Sequence, residues 1–347
     1  MKRILHITIV AVLTIFFIWF FLHNSNLGDV WSIIRTTNPF WLVVALLVNF
    51  SALLFRTWRW RLLIDSRHPP PFYPTFFANA VGYMVSTVLP IRAGDVVRPA
   101  LLARRTSVRF SSALGTALTE RILDLYALLL LFIYFVVTHW NGFASDPDTA
   151  RSFFIMKSGA IGAAIVLGAM TIFVLSMYFY RGSVRRVHEW LGRFVPARFR
   201  PAWMHFYDAF TQTLRLANEP GTAVRVLLHT AGIWFCLNAQ FWLVLVALRR
   251  RLPFDSAFFI SGVSTVGLAI PTPGGVGGFH KACQFVLTTF YHFGVDLSVA
   301  VAVMFHIVGT LPILVTGLLL FAHAGLHWRD VKTQPAAEQA AEEAGSE

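Results

Sequence analysis

The chain has 347 residues, of which 56% are hydrophobic and only 13% are charged, and its formal net charge is +12. Soluble globular proteins have about a quarter of their residues charged, so this composition excludes that class and predicts an all-α polytopic membrane protein. The basic excess does not call for nucleic acid as a partner, because lysine and arginine collect beside membrane spans on the cytoplasmic side. The cysteines, Cys236 and Cys283, lie in apolar runs without metal-binding spacing, and we expect neither a metal nor another cofactor.

Six apolar runs approach or exceed the roughly 20 residues that cross a bilayer. The first has a basic start but no small-residue cleavage site after it, which indicates an uncleaved helix rather than a signal peptide. The distribution of basic residues predicts that both termini are cytoplasmic, with Arg249–Arg251 as an exception on the outer side. The predicted full spans are residues 4–22, 39–60, 111–138, 157–180, 224–248 and 297–323.

Two shorter apolar regions are predicted to form re-entrant helical hairpins. Residues 76–89 have basic residues on both flanks, which places both ends on the cytoplasmic side and excludes a full span. Residues 254–270 and 282–293 flank a second interruption, and this hairpin is predicted to enter from the outside.

The second interruption, Pro271–Lys281, contains two prolines and four glycines. Proline lacks a backbone N–H and glycine favours open backbone, so this segment is not expected to be a regular helix. It predicts either a protein-lined cavity within the membrane or a turn at the membrane surface. The residues assigned to a gate here are Pro271, Pro273, Gly274, Gly275 and Gly277.

The two interruptions resemble each other. Val85–Val88 and Val263–Val266 both have the sequence Val-Ser-Thr-Val, and the first precedes an interruption that contains Pro90 and Gly94. Each interruption lies between long spans, and the two hairpins open to opposite sides. This is the pattern of an inverted repeat, in which two broken helices form a substrate site near the midplane. We therefore predict that Pro90 and Gly94 belong to the gate as well.

Charged residues occur inside the predicted span 111–138. Glu120 and Asp124 share a helix face because they are four residues apart, and Arg121 lies next to Glu120. Intramembrane charges normally face a cavity or a partner. Three roles stay open: ion pairs with Arg92 or Arg98 that hold the first hairpin, coupling to protons or ions, and acid–base chemistry.

Arg92, Asp95 and Arg98 recur at three-residue spacing, which places two cations beside one carboxylate on a helix face. Guanidinium groups bind phosphate in a bidentate manner, so a phospholipid headgroup is one expected ligand; ordinary cytoplasmic-side charge is the alternative. The same two explanations apply to Arg56 and Arg59 at the end of the second span.

The remaining features narrow the function further. The Gly-rich segment lacks the Gly-Lys-[Ser/Thr] ending of a P-loop, whereas His280, just after the glycines, is a candidate to contact an anion. Residues 181–220 mix arginines with aromatics, which is typical of a helix in the membrane interface. The Ala- and Glu-rich end predicts a membrane domain over residues 1–330 and a disordered cytoplasmic tail over 331–347.

Four motifs, in this order, resemble the lysylphosphatidylglycerol synthase transmembrane-domain family, also called flippase-like domain proteins. They are Arg-x-x-Arg-Trp (56–60), Arg-x-Gly-Asp-x-x-Arg (92–98), Glu-Arg-x-x-Asp (120–124) and Pro-x-Pro-Gly-Gly-x-Gly (271–277). The resemblance implies a module that moves lipids between leaflets, here without the synthase domain of the best-known members. Asp95 and His280 stand where the family usually has Glu, and His280 there favours a more anionic lipid.

These observations predict translocation of an anionic phospholipid or a polyprenyl-phosphate lipid across the bacterial inner membrane, driven by an ion gradient or passively. Membrane phospholipids and enzymes of envelope-lipid biosynthesis are the expected partners. A membrane-embedded lipid-modifying transferase that uses Glu120 or Asp124 as a base, and a non-catalytic scaffold of an envelope-lipid pathway, are the alternatives. The predicted substrate-binding residues are Arg56, Arg59, Arg92, Arg98, Arg121 and His280, and the predicted ion-coupling or pairing residues are Asp95, Glu120 and Asp124.

Overall fold

The protein is all-helical throughout the part of the chain that the structure, a computed structural model, describes. The described residues are 12, 14–89, 93–139, 147–195, 219–268 and 272–325, so the predicted tail, 331–347, lies outside them. The helices are α1 (14–22), α2 (Leu27–Arg35), α3 (Pro39–Ile64), α4 (Phe72–Val88), α5 (Gly94–Arg105), α6 (Phe110–Thr138), α7 (Pro147–Phe179), α8 (Arg181–Gly192), α9 (Pro220–Ala247), α10 (Ser256–Gly267), α11 (Gly278–Phe290) and α12 (Val295–His323).

Five of the described helices are long and apolar enough to cross a membrane, and they match five of the six predicted spans. They are Pro39–Ile64, Phe110–Thr138, Arg151–Met177, Pro220–Ala247 and Val295–His323. Of the sixth predicted span, residues 4–22, the part from residue 14 onward is helical and most of the rest lies outside the described residues. The interfacial helix predicted within 181–220 is represented by α8, and residues 196–218 lie outside the described part.

Helices α3 and α9 form an antiparallel pair at the centre of the protein. The Asn38 N–H donates to the Ala247 carbonyl at 3.0 Å, and Asn49 Nδ2 donates to Gln240 Oε1 at 2.8 Å. The start of α3 therefore lies beside the end of α9. Asn38 also starts α3 because its Oδ1 accepts the Phe40 N–H at 2.9 Å, which satisfies a backbone donor that the helix itself leaves free.

Each short predicted hairpin is a pair of antiparallel helices, α4 with α5 and α10 with α11. The helices of both pairs approach through glycine. A Cβ atom at Gly94 would overlap the carbonyl oxygen of Gly82, and a Cβ atom at Gly267 would overlap that of Gly278. Ser86 packs on Gly94, so the end of α4 lies beside the start of α5. Backbone-to-backbone packing therefore holds each hairpin closed.

The Gly-rich interruption is shorter than predicted. Pro273–Gly275 form a single 3₁₀ turn, and Gly274, Gly275 and Gly277 have φ angles of 61°, 71° and 90°, which non-glycine residues rarely adopt. The expectation that the irregular segment continues to Lys281 is wrong, because α11 begins at Gly278. Helix α11 contains no proline, so it can propagate once Gly277 has turned the chain.

Three of the predicted site residues, Pro90, Arg92 and Pro271, lie outside the described residues, as does the side chain of Pro273. Gly94 is described, and it is the first residue of α5. It therefore contributes to the packing of the first hairpin at the point where the second helix begins.

Gly94→Ala is expected to destabilise the protein, because the new methyl group would overlap the Gly82 carbonyl and force α4 and α5 apart. Overpacking of this kind costs about 1–3 kcal/mol. Thermal unfolding in detergent measures the effect. Gly162→Ala on α7 is the matched control, because a Cβ atom there meets nothing within 4 Å. Equal unfolding midpoints for the two variants would contradict the proposed packing.

Candidate functional site

Most of the predicted charged residues meet in one group between α3, α5 and α6, which we call the charge cluster. Among the described residues it comprises Arg56, Arg59, Asp95, Arg98, Glu120, Arg121 and Asp124. Four guanidinium groups thus face three carboxylates, so the described cluster has one positive charge in excess. Helix α6 is a candidate membrane span, and charged side chains within a span are costly unless they are paired. The ion pairs of the cluster therefore allow α6 to contain Glu120, Arg121 and Asp124.

Glu120 is the innermost carboxylate of the charge cluster. Its Oε2 lies 2.6 Å from Arg98 Nη2, and its Oε1 lies 3.5 Å from Arg59 Nε. All three side chains are at most 1% exposed. The structure thus contains the predicted pair between Glu120 and Arg98. It also places Arg59 inside the protein rather than at a charged border of the span.

Asp124 and Arg121 form the more accessible side of the charge cluster. Asp124 accepts a hydrogen bond of 2.8 Å from Arg59 and lies 3.5 Å from Arg56. Arg121 pairs with Asp95 and lies 3.9 Å from Asp124. The Arg121 side chain is 30% exposed, whereas that of Asp124 is 13% exposed. Arg121 and Arg56, unlike Arg98, are therefore accessible to a ligand.

Tyr83 of α4 connects Arg56 to Arg98 through its hydroxyl group, and this residue is not among those predicted from the sequence. Its hydroxyl accepts hydrogen bonds from Arg56 at 3.1 Å and from Arg98 at 3.0 Å. Arg98 also donates to Asn79 Oδ1 at 3.0 Å and lies over the Trp60 ring, 4.4 Å from its centroid. Asn79 and Tyr83 are one helical turn apart and therefore share a helix face, and this spacing is the signal that could have found them.

A cavity of about 400 Å³ opens beside the charge cluster. The charge cluster contributes Arg56, Arg121 and Asp124 to its lining. Helices α9, α10 and α12 and the Gly-rich turn also line it, and the polar residues that the three helices contribute are Trp234, Gln240, Ser261, Thr265, His306 and Thr310. The cavity is therefore lined by both halves of the chain.

The Gly-rich turn brings the two hairpins together at this cavity. A Cβ atom at Gly274 would lie 3.2 Å from the carbonyl oxygen of Thr87, in the last turn of α4, and 3.9 Å from His306 Nε2. The end of the first hairpin helix and the turn of the second hairpin are thus neighbours. His306, which the sequence analysis gave no ligand role, lines the cavity.

His280 is buried rather than presented on a surface, with an exposed fraction of 6%. Its Nδ1 accepts the Gly277 N–H at 3.3 Å, which caps the start of α11. Its ring centroid lies 4.6 Å from that of His306 and 5.0 Å from that of Phe21. These contacts give His280 a local structural role; contact with an anion stays a prediction.

A larger cavity of about 830 Å³ lies at the end of the bundle where α3 ends and α6 begins. Its charged lining residues are Asp65, His68, Arg105 and Arg109. The backbone N–H groups of His68 and Arg67 donate to the Asp65 carboxylate and hold its pKa below its usual range. This cavity is formed by loops and helix ends and is separate from the charge cluster.

Glu120→Gln is expected to destabilise the protein, because it leaves buried Arg98 without its carboxylate partner. Breaking one side of a buried ion pair costs about 3–5 kcal/mol. The double variant Glu120→Gln/Arg98→Met should be destabilised much less than Glu120→Gln, because it no longer contains an unpaired buried charge. Unfolding in detergent measures the stability of the double variant and of both single variants. A stability change of the double variant that equals the sum of the two single changes would contradict the pairing. Glu189→Gln, which breaks the exposed pair with Arg185 on α8, is the control and should leave stability nearly unchanged.

Comparison with known proteins shows which family the chain belongs to. Residues 4–317 match the family described as "Lysylphosphatidylglycerol synthase TM region". A UPF0104 membrane protein from Methanocaldococcus jannaschii is 24% identical over 241 residues, which is 68% of this chain and 92% of that relative. Because the family match extends over most of the chain and includes the charge cluster and the Gly-rich turn, the chain belongs to the lysylphosphatidylglycerol synthase TM region family.

Proposed function

We propose that the protein translocates an anionic phospholipid or a polyprenyl-phosphate lipid between the two leaflets of the membrane. The observation that carries this proposal is the cavity between the charge cluster and the Gly-rich turn. It lies among helices long enough to span a membrane, and Arg56 and Arg121 contribute to its lining. The second hairpin borders it, and Thr87 of the first hairpin lies against the Gly-rich turn. Such a cavity can hold a polar headgroup at a depth where the acyl chains remain in lipid.

The charge of the cluster supports an anionic headgroup. Arg56 and Arg121 line the cavity, and the described cluster has one positive charge more than its carboxylates neutralise. A phosphodiester carries one negative charge and accepts bidentate hydrogen bonds from guanidinium. Arg59 and Arg98, both nearly inaccessible, serve to position the other arginines through Glu120, Asp124 and Tyr83.

The packing of the helices supports an inverted repeat that relates α3–α6 to α9–α12. The contact of α4 with α5 has its counterpart in that of α10 with α11, and the contact of α5 with α6 in that of α11 with α12. Likewise, α4 packs on α12 as α10 packs on α6. Helices α3 and α9 are antiparallel. A two-fold axis that exchanges them must therefore be perpendicular to the helices, and it relates two halves of opposite orientation in the membrane.

The same correspondence extends to the breaks in the hairpins. The matching sequences Val85–Val88 and Val263–Val266 lie in the last turns of α4 and α10 respectively. In transporters built from inverted repeats, substrate sites lie where such broken helices meet. We propose that the two breaks act as gates, with positive φ angles at Gly274, Gly275 and Gly277 allowing the chain to turn within a small space.

The proposed location is the bacterial inner membrane, with both termini in the cytoplasm. The end of the bundle that contains the α3–α4 loop is the more basic one and suits the cytoplasmic side. Its described basic residues include Arg61, Arg67, Arg104, Arg105, Arg109 and Arg225. The opposite end carries Arg35 and Arg249–Arg251, together with Asp29, Asp255 and Asp296.

The proposal predicts that purified protein in liposomes accelerates movement of labelled anionic lipid between leaflets, with or without a proton gradient. Arg121→Gln should slow this movement about tenfold, because it removes a charge-assisted hydrogen bond to the headgroup. Arg67→Gln is the matched control, since the Arg67 side chain forms an exposed pair with Glu219 outside the cavity. A leaflet-resolved quenching assay measures both variants.

Two results would contradict the proposal. The first is movement no faster than in protein-free liposomes under either condition. The second is equal loss of transport in Arg67→Gln and Arg121→Gln proteins of equal stability. Mass spectrometry of the recovered lipids completes the experiment, because formation of a new lipid species from added donors would favour the transferase alternative instead.

A further inference from the structure

We propose that His306 takes up one proton when an anionic headgroup enters the cavity, so that the lipid and the proton cross the membrane together. This inference rests on the proposed function and adds its coupling ion. It follows from three features of the described residues: the pairing of the carboxylates, the position of His306, and a hydrogen bond made by its neighbour His280.

The carboxylates of the charge cluster are poorly suited to carry the proton. Glu120 lies 2.6 Å from Arg98, and Asp124 accepts a hydrogen bond of 2.8 Å from Arg59. Asp95 is likewise paired with a guanidinium group. Such a partner favours the charged carboxylate, and protonation would leave buried guanidinium groups without their counter-charge. Pairing therefore accounts for the contacts of these carboxylates, and a coupling proton needs another site.

His306 of α12 supplies that site, because it is the one histidine among the described residues that line the cavity. A Cβ atom at Gly274 would lie 3.9 Å from its Nε2, so the ring lies beside the Gly-rich turn. Imidazole is the side chain that ordinarily changes charge between about pH 5 and 8. Burial favours a neutral imidazole, whereas a phosphate oxygen within hydrogen-bond distance favours the charged form, in which both ring nitrogens donate. Entry of a headgroup therefore draws a proton onto this ring.

The neighbouring ring of His280 stays neutral. The centroids of the two rings lie 4.6 Å apart. Because His280 Nδ1 accepts the Gly277 N–H at 3.3 Å, its own proton is assigned to Nε2. A second proton, on Nδ1, would break this hydrogen bond at the start of α11. It would also place two like charges close together once His306 is charged. Only one of the two rings is therefore free to take up a proton.

The charges around His306 favour one proton for each headgroup. The titratable groups that share the cavity or a ring contact with it are Arg56 of α3, Arg121 and Asp124 of α6, and His280 of α11. Helices α2, α4 and α9 also pack on α12, but they contribute no charged side chain to the described lining. A phosphodiester adds one negative charge to this surrounding, and a proton on His306 restores the original net charge. The transported pair of phosphodiester and proton is then electrically neutral.

The test uses the full-length protein in liposomes with labelled phosphatidylglycerol, a phosphodiester lipid with one negative charge. With the membrane potential held at zero, a gradient of one pH unit should enrich the label about tenfold in the leaflet that faces the more alkaline side, because one proton accompanies each lipid. A potassium diffusion potential set with valinomycin should leave the distribution unchanged, because the pair carries no net charge. Protein-free liposomes give the background for both conditions.

The outcomes separate this inference from the proposed function. A label distribution that follows the membrane potential, or that ignores the pH gradient, overturns the coupling but leaves the proposed function intact. Label that moves no faster than in protein-free liposomes removes both together.

Two measurements on His306→Gln assign the proton to this ring. In liposomes, its label distribution should no longer follow the pH gradient. In weakly buffered detergent solution near neutral pH, phosphatidylglycerol binding should make the parent protein take up as much as about one proton per lipid, as linkage requires, whereas His306→Gln should bind the lipid without uptake. This second measurement does not depend on transport, so it decides the assignment even if the variant moves no lipid.

His23→Gln is the matched control, because its exposed ring follows α1 outside the cavity lining, and it should retain both parent responses. Proton uptake by His306→Gln equal to that of the parent, or a complete loss of lipid binding by a stably folded variant, would refute the assignment.

Discussion

The fold depends on one carboxylate that is held between two guanidinium groups away from water. Glu120 belongs to α6, and its partners Arg98 and Arg59 belong to α5 and α3. These contacts therefore join three separate helices. A charge at this depth is tolerated only with a partner, so none of the three helices can move independently without exposing an unpaired group. The accessible arginines in the cavity wall are linked to this inner group through Asp124, which also pairs with Arg59, and through Tyr83, which also accepts from Arg98.

The short hairpins need a different kind of support, because their helices are too short to span the bilayer by themselves. Glycine contacts let α4 approach α5, and α10 approach α11, at the distance of the backbone. The long helices α12 and α6 then pack on the first helix of each hairpin, α4 and α10 respectively. Irregular backbone at membrane depth is tolerated where it is enclosed by protein or lines a cavity, and the Gly-rich turn meets both conditions.

Much of this arrangement could be predicted from the sequence, because hydrocarbon restricts what a chain can do. Long apolar runs predict the described spans. The cost of intramembrane charge makes an ion pair of Glu120 with Arg92 or Arg98 one of three possible roles, and the structure contains the pair with Arg98. The role of Arg59 could not be predicted, since helical periodicity tells which residues share a face but not which helix that face meets. Tyr83 was missed because it is uncharged and lies in an apolar run. The sequence pattern predicts too long an irregular segment, because glycine disfavours the interior of a helix but is tolerated at the first position of α11.

Helix α7 stands apart from this tightly packed centre. Among the described residues, only 6% of its most apolar window is buried within the protein. Its 27-residue apolar stretch, Arg151–Met177, has a helical length of about 40 Å, which exceeds the roughly 30 Å of a bilayer core. A helix longer than the bilayer core accommodates the mismatch by tilting, by kinking or by thickening the bilayer, so we expect the angle of α7 to change with the thickness of the surrounding bilayer.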